Sequence, residues 1–388
     1  MPFLATLRAA RAPLATLRAA RAPMAAFAAM GVGWGSYAAV LPDLKAMLGI
    51  DETQLGLMIF MTPIAAVCAM LAAPAIGAAL GRVALPVAAL AMALGFAMPG
   101  QTGSLWLFPL AMMCAGAGTG LTDVLINARV VTLEADRGVH LMSLAHAVYS
   151  FGYAAGALMT GVLRQAGWPP GWVLGSMAAV AALLALCAFE GDGTIRGLRK
   201  PKGEGAGRLG MVPVIGGGIV LISFLSENAA ESWSALHIEQ TLGGSPADGA
   251  MGPAALALTM GVTRVLAQGF VPRIGAMGVL GGGAVVAALG ALGAAFATSP
   301  AMAYAGFTVM GIGGALIAPT AFSLVGSLAA PEARARAVAR ATLLGYFGYF
   351  FGPPLLGLIA GAFGLPAAFV FAAASLLVVP VLAWALLR

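Results

Sequence analysis

Apolar stretches of about 20 residues, the length a helix needs to cross a bilayer, recur along the chain between short polar or Pro/Gly-bearing breaks. The pattern predicts twelve membrane-spanning helices at 24–42, 54–80, 83–100, 105–131, 141–163, 171–189, 211–236, 250–272, 276–297, 301–327, 337–361 and 365–387. The one sustained polar segment, "EGDGTIRGLRKPKGEGAGRLG" at 190–210, divides these spans six and six and has the composition of a flexible linker. The expected organisation is therefore a tail (1–23), a six-helix half (24–189), a linker (190–210) and a second six-helix half (211–388).

Composition agrees with a membrane solvent. Of the 388 residues 61% are hydrophobic and 9% charged, with a mean hydropathy of +0.97; a soluble domain carries roughly a quarter charged residues. The net charge of +6 does not point to nucleic acid, because the basic residues form no single face. If the N-terminus is cytoplasmic, every Lys and Arg except Lys45, Arg164 and Arg264 falls in a cytoplasmic connection, a tail or an adjoining helix end. That bias places both termini in the cytoplasm, in a bacterial inner membrane. Cys68, Cys114 and Cys187 lie in apolar runs at wide spacing and read as small buried hydrophobes. The decapeptide "LATLRAARAP" occurs twice, at 4–13 and 14–23; it has no clean apolar stripe and reads as a basic cytoplasmic tail.

The two halves are related. "FGYAAGALMTG" (151–161) and "FGYFFGPPLLG" (347–357) superpose at an offset of 196, as do "SYAAVLPD" (36–43) and "SWSALHIE" (232–239). Parallel repeats related by an axis along the membrane normal are a transporter architecture, with the solute site between them near the midplane. On these features the chain resembles the major facilitator superfamily, over about residues 24–388. Within it, "TDVLIN" (122–127) and "SENAAESWSAL" (226–236) are similar to the acid–Asn and acid–Trp positions of the fucose-permease-like branch. The resemblance implies an all-α fold whose helices 1, 4, 7 and 10 line a central cavity and whose halves rock to give alternating access. It also implies a proton-coupling role for the acid of helix 4.

The ionisable residues within the spans are the candidates for chemistry. Asp123 follows the glycines of "GAGTGL" (116–121), which overlie those of "GIGGAL" (311–316), yet its own counterpart is Ala318. The fold does not need a carboxylate there. A charge at that depth costs at least ~2.5 kcal/mol and must face a cavity or a partner. It is either a packing hydrogen bond or a protonatable group in the transport path, whose charge depends on whether the cavity is dry or wet. Asn127, one turn on, shares its face. Glu227 and Glu231 share a face of helix 7, where the first half has Gly31 and Gly35; Glu231 is near the outer interface and is either solvated or functional. Asn228 and Trp233 add an amide and an aromatic platform suited to an amphipathic solute. Arg264, read as mid-helix 8, is the one strong base at depth, and Glu227 is its natural partner. His146 in helix 5 is either a plain interfacial histidine or a proton relay to Asp123. Tyr149 on helix 5, and Trp34 and Tyr37 on helix 1, are further cavity candidates; Tyr153 matches Tyr349, which marks it for packing.

Other motifs lack context. "GVGWG" (31–35) and "GAGTG" (116–120) have no preceding strand, so the glycines read as close helix contacts and not as a dinucleotide site. There is no P-loop, nucleophile elbow or His/Cys metal spacing, so neither an enzyme nor a cofactor or metal is expected. The superfamily's loop signature between helices 2 and 3 is reduced to "GAALGR" (77–82), and its second copy near "QGFVPRIG" (268–275) is degenerate. Ala38 stands near where the branch's sugar permeases carry an Asp, which removes the support for a sugar. The favoured expectation is a monomeric proton-coupled symporter of a small polar or amphipathic organic solute. Proton-driven efflux of drugs or amphiphiles, and a non-transporting receptor on the same fold, are the alternatives.

Overall fold

The computed structural model describes residues 20–138, 141–193, 195, 210–267, 271–330 and 333–388. Residues 1–19, which hold all of the first decapeptide copy and most of the second, and most of the 190–210 linker lie outside these. Among the described residues the regular structure is entirely helical.

Twelve helical spans follow the apolar pattern. In the first half they are α1 (Arg21–Leu48), α2 (Glu52–Ile59, resumed as Met61–Leu80), α3 (Ala84–Ala97), α4 (Leu107–Arg137), α5 (Met142–Gln165) and α6 (Pro170–Leu186). In the second they are α7 (Val212–Leu236), α8 (Pro246–Leu266), α9 (a π-helical Gly278–Gly282 leading into Gly283–Ala295), α10 (Pro300–Gly314, resumed as Ile317–Leu328), α11 (Arg334–Phe363) and α12 (Leu365–Leu376, resumed as Val379–Leu387). Nine stretches among the described residues are long and apolar enough to cross a membrane, and the Glu52–Gln101 stretch, at 50 residues, takes in both α2 and α3. Leucines such as Leu71, Leu94, Leu183 and Leu289 stand exposed on the outer surface, where hydrocarbon and not water would meet them.

Some boundaries differ from the pattern for local reasons. α1 begins at Arg21 instead of 24, and the Arg21 guanidinium donates to the Phe189 carbonyl at 2.8 Å. α8 begins at Pro246 because Ser245 and Asp248 form a reciprocal capping box. It ends at Leu266, so Arg264 lies in its last turn and not mid-helix. α10 is interrupted after Gly314, at Ala315, four residues before a proline: Pro319 has no N–H to give to the Ala315 carbonyl.

Small residues set the packing. α1 lies on α5, α7 on α11, α2 and α3 on α4, and α9 on α10. A Cβ at Gly31 or Gly35 would strike the backbone of Tyr149 or Tyr153, so α1 and α5 touch main chain to main chain. In the second half the roles reverse. Gly348 and Gly352 on α11 make the room, against Leu221 and Asn228 of α7. α7 is thereby free to carry Glu227 and Glu231 where α1 has glycine. The two groups of six meet chiefly through α5 with α8 and α2 with α11.

Candidate functional site

Between the two groups of helices lies a cavity of about 550 Å³, lined from α1, α2, α4, α5, α7, α8, α10 and α11. It is sealed at the end that holds the α1–α2 and α7–α8 turns. There Arg164 of α5, its side chain 1% exposed, places all five of its N–H groups. Nε and Nη2 donate to the Asp43 carboxylate of α1 at 2.7 and 2.5 Å. Nη1 and Nη2 donate to Glu239 at 2.7 and 2.9 Å, and Nη1 also reaches the Ala39 carbonyl at 2.7 Å. Glu239 belongs to the second group. It reaches Arg164 because α7 runs on as one π-helical turn, His237–Thr241, whose wider turn changes side-chain direction. Lys45 ties the same end by bonds to Glu52 (2.5 Å) and Gln240 (3.1 Å). The opposite end is lined by half-buried Met70, Met142 and Phe322.

The cavity gathers all of the sequence-predicted residues except Asn127 and Trp233: Trp34, Tyr37, Asp123, His146, Tyr149, Glu227, Asn228, Glu231 and Arg264. Asn127 sits behind Asp123 and orients it. Its Nδ2 donates to Asp123 Oδ1 at 3.1 Å and to the Asp123 carbonyl at 2.9 Å. Trp233 is wholly buried, with its ring edge against Gly357 of α11, so it is a wedge between helices and not a platform in the cavity.

One pairing expected from the sequence, and one raised as an alternative, do not form. Glu227 and Arg264 make no ion pair: Glu227 accepts from Tyr349 Oη (3.2 Å) and Ser223 Oγ (3.3 Å). Arg264 instead donates from Nη1 to Ser150 Oγ (3.2 Å) and from Nε to the Ala315 carbonyl (3.2 Å). That carbonyl is available because Pro319 leaves it without a helical donor. His146 makes no hydrogen bond to Asp123; its ring packs on Phe27 with centroids 5.1 Å apart.

Sequence reasoning missed two residues on α11. Tyr346 Oη donates to Asp123 Oδ2 at 3.4 Å, across the boundary between the two groups of helices, and Tyr349 holds Glu227. Both lie in "FGYFFG" or just before it. The repeat marked the Tyr349 position for packing, although the available signal was that its α7 neighbour is an acid where α1 has Gly31. Aromatic walls complete the site: Trp34 meets Tyr37 and Phe96 edge-on at 5.8 and 5.1 Å, and Tyr149 meets Tyr153 at 6.1 Å.

Comparison with known proteins places this arrangement. Residues 216–388 match the family model described as Major Facilitator Superfamily. An uncharacterized MFS-type transporter of Yersinia pestis is 29% identical over 363 residues, covering 92% of this chain and 93% of its own. Among solved structures, the inward open conformation of the xylose transporter XylE from E. coli superposes with a TM-score of 0.74 at 16% identity, covering 94% of this chain and 95% of that one. A D-xylose-proton symporter does so with a TM-score of 0.72 at 18% identity, covering 95% and 96%. At these identities the structural likeness speaks for the fold alone.

Proposed function

We propose that the chain is a transporter of the major facilitator superfamily, whose family model matches residues 216–388, and that it is a proton-coupled symporter of a small polar or amphipathic organic solute. The observation that carries this reading is the Asp123–Tyr346 hydrogen bond. It puts a carboxylate of one six-helix half against a hydroxyl of the other, inside the cavity that separates them. A bond to a charged acceptor is roughly twice as strong as a neutral one. An ionised Asp123 therefore holds Tyr346 more firmly than a protonated one, and proton occupancy biases how the halves sit on each other.

Alternating access follows from the same geometry. The Arg164–Asp43–Glu239 cluster closes one end, and the cavity is reached from the other. With both termini on the cytoplasmic side of a bacterial inner membrane, as the distribution of Lys and Arg implies, this is an inward-facing monomer of residues 24–189 and 211–388 moving about the solute. The test is proton movement in proteoliposomes containing a pH-sensitive dye. Addition of a transported solute should move protons with it, and Asp123→Asn should keep solute exchange while losing accumulation driven by a pH gradient. Full gradient-driven accumulation by that variant sinks the assignment.

A further inference from the structure

The carboxylates of the cavity are not equivalent. Asp123 receives hydrogen bonds from Asn127 and Tyr346, and Glu227 from Ser223 and Tyr349. Glu231, one turn beyond Glu227 on the same face of α7, lines the cavity and receives none among the described residues. It lies eight residues short of Glu239, about 12 Å at 1.5 Å per residue, and so sits toward the sealed end of the cavity. A carboxylate in such a place is costly unless something supplies donors or positive charge.

Two further polar atoms of the lining residues carry no hydrogen bond: Asn228 Oδ1, which lies against Gly352 of α11, and the Oη of Tyr37, 2% exposed, a hydroxyl able to donate or to accept. The one guanidinium in the lining, Arg264, is held by Ser150 and the Ala315 carbonyl. The neighbouring walls are the aromatic faces of Trp34, Tyr149 and Tyr153, surfaces that attract an organic cation.

Resting on the transport reading above, we propose that Glu231 forms the subsite for a protonated amino group of the solute, which is an organic monocation. The ammonium gives its N–H bonds to the Glu231 carboxylate, and its apolar part lies against the aromatic walls. Arg264, in the same lining, disfavours a second positive charge on the solute. Asp123 remains the coupling site, so solute and proton charges are carried by different carboxylates.

The probes are three compounds of equal size, benzylamine, benzyl alcohol and benzoate, added to the purified full chain in detergent while its thermal unfolding midpoint is followed. Benzylamine should raise the midpoint in a concentration-dependent way, and the other two should not. Glu231→Gln should weaken the benzylamine effect about ten- to a hundredfold in apparent affinity, the range of a charge-assisted hydrogen bond. Glu231→Asp, which keeps the charge, should retain the preference for the amine and guards against a folding defect in the first variant. Stabilisation by the alcohol or the acid in preference to the amine overturns the subsite. So does stabilisation by sodium ions alone, an unchanged benzylamine response in Glu231→Gln, or no response to any of the three. Any of these leaves the transport reading standing if another solute still moves protons in proteoliposomes. If no solute of any charge class does, it is the transport reading that fails.

Discussion

Arg164 and Glu239 form a doubly hydrogen-bonded pair across the two halves, at 2.7 and 2.9 Å, while the same guanidinium grips Asp43 from its own half. The fork is shared, so the cation stays neutralised by Asp43 when the halves part. Of this fork only the Glu239 side must be given up for the sealed end to open, together with the Lys45–Gln240 bond beside it.

Glu239→Gln is therefore expected to favour opening without unfolding the first half. Ala250, wholly buried against Gly161 at the sealed end, is a suitable reporter. In a background lacking Cys68, Cys114 and Cys187, a cysteine at Ala250 should react about tenfold faster with an impermeant maleimide when Glu239→Gln is present, equivalent to about 1.4 kcal/mol. Arg164→Ala should do more harm, because it leaves two carboxylates facing each other without a cation, and a buried pair broken this way costs about 3–5 kcal/mol. A lower unfolding midpoint than for Glu239→Gln is the expected reading. Equal reactivity in the parent and Glu239→Gln would show that the pair does not hold the gate.

Tyr346→Phe removes the cross-half donor to Asp123 and leaves the carboxylate in place. Coupling should be weakened but retained: gradient-driven accumulation should fall several-fold, and the pH at which uptake is half-maximal should change. An unaltered pH profile would mean that the Tyr346 bond has no part in reading the proton.

Gly35→Val places a branched side chain against the Tyr153 backbone, where no relaxation of a flexible neighbour can make room. Overpacking of this kind costs about 1–3 kcal/mol. The variant should melt several degrees lower by intrinsic fluorescence, or fail to accumulate in the membrane. A parent-like midpoint would show that α1 and α5 do not meet as described.

Trp233 and Trp34 separate packing from recognition. Trp233→Ala empties a fully buried site beside Gly357 and should lower stability by about 3–5 kcal/mol, whereas Trp34→Ala should weaken solute binding more than it lowers the melting midpoint. Reversed effects would exchange the roles assigned to the two indoles.

The helices and their grouping were legible because lipid imposes length and apolarity on every span. Asp123, Glu227 and Glu231 stood out for the same reason, as charges that lipid does not tolerate without cause. Their partners were not legible. Arg264 finds Ser150 and a backbone carbonyl, and no pattern of residue types announces a carbonyl released by a proline four positions later. Tyr346 and Tyr349 were hidden by the repeat, because the residue that gives Tyr349 its role is on α7 and not on α11. Arg164 and Lys45 did leave a trace as the two bases on the outer side in an otherwise one-sided charge distribution. The sequence could not say that Asp43 and Glu239 would converge on one of them, since that depends on the π-helical turn at His237–Thr241.

The anchoring of Arg264 on the Ala315 carbonyl has a practical consequence for anyone mapping this protein by mutation. Side-chain replacement at Ala315 leaves the acceptor oxygen untouched, so an alanine or cysteine scan of α10 passes over the contact in silence. The informative change is at Pro319, which makes no hydrogen bond to the arginine. Replacing it by alanine restores an N–H that competes for the oxygen and leaves the guanidinium with Ser150 as its remaining hydrogen-bond partner.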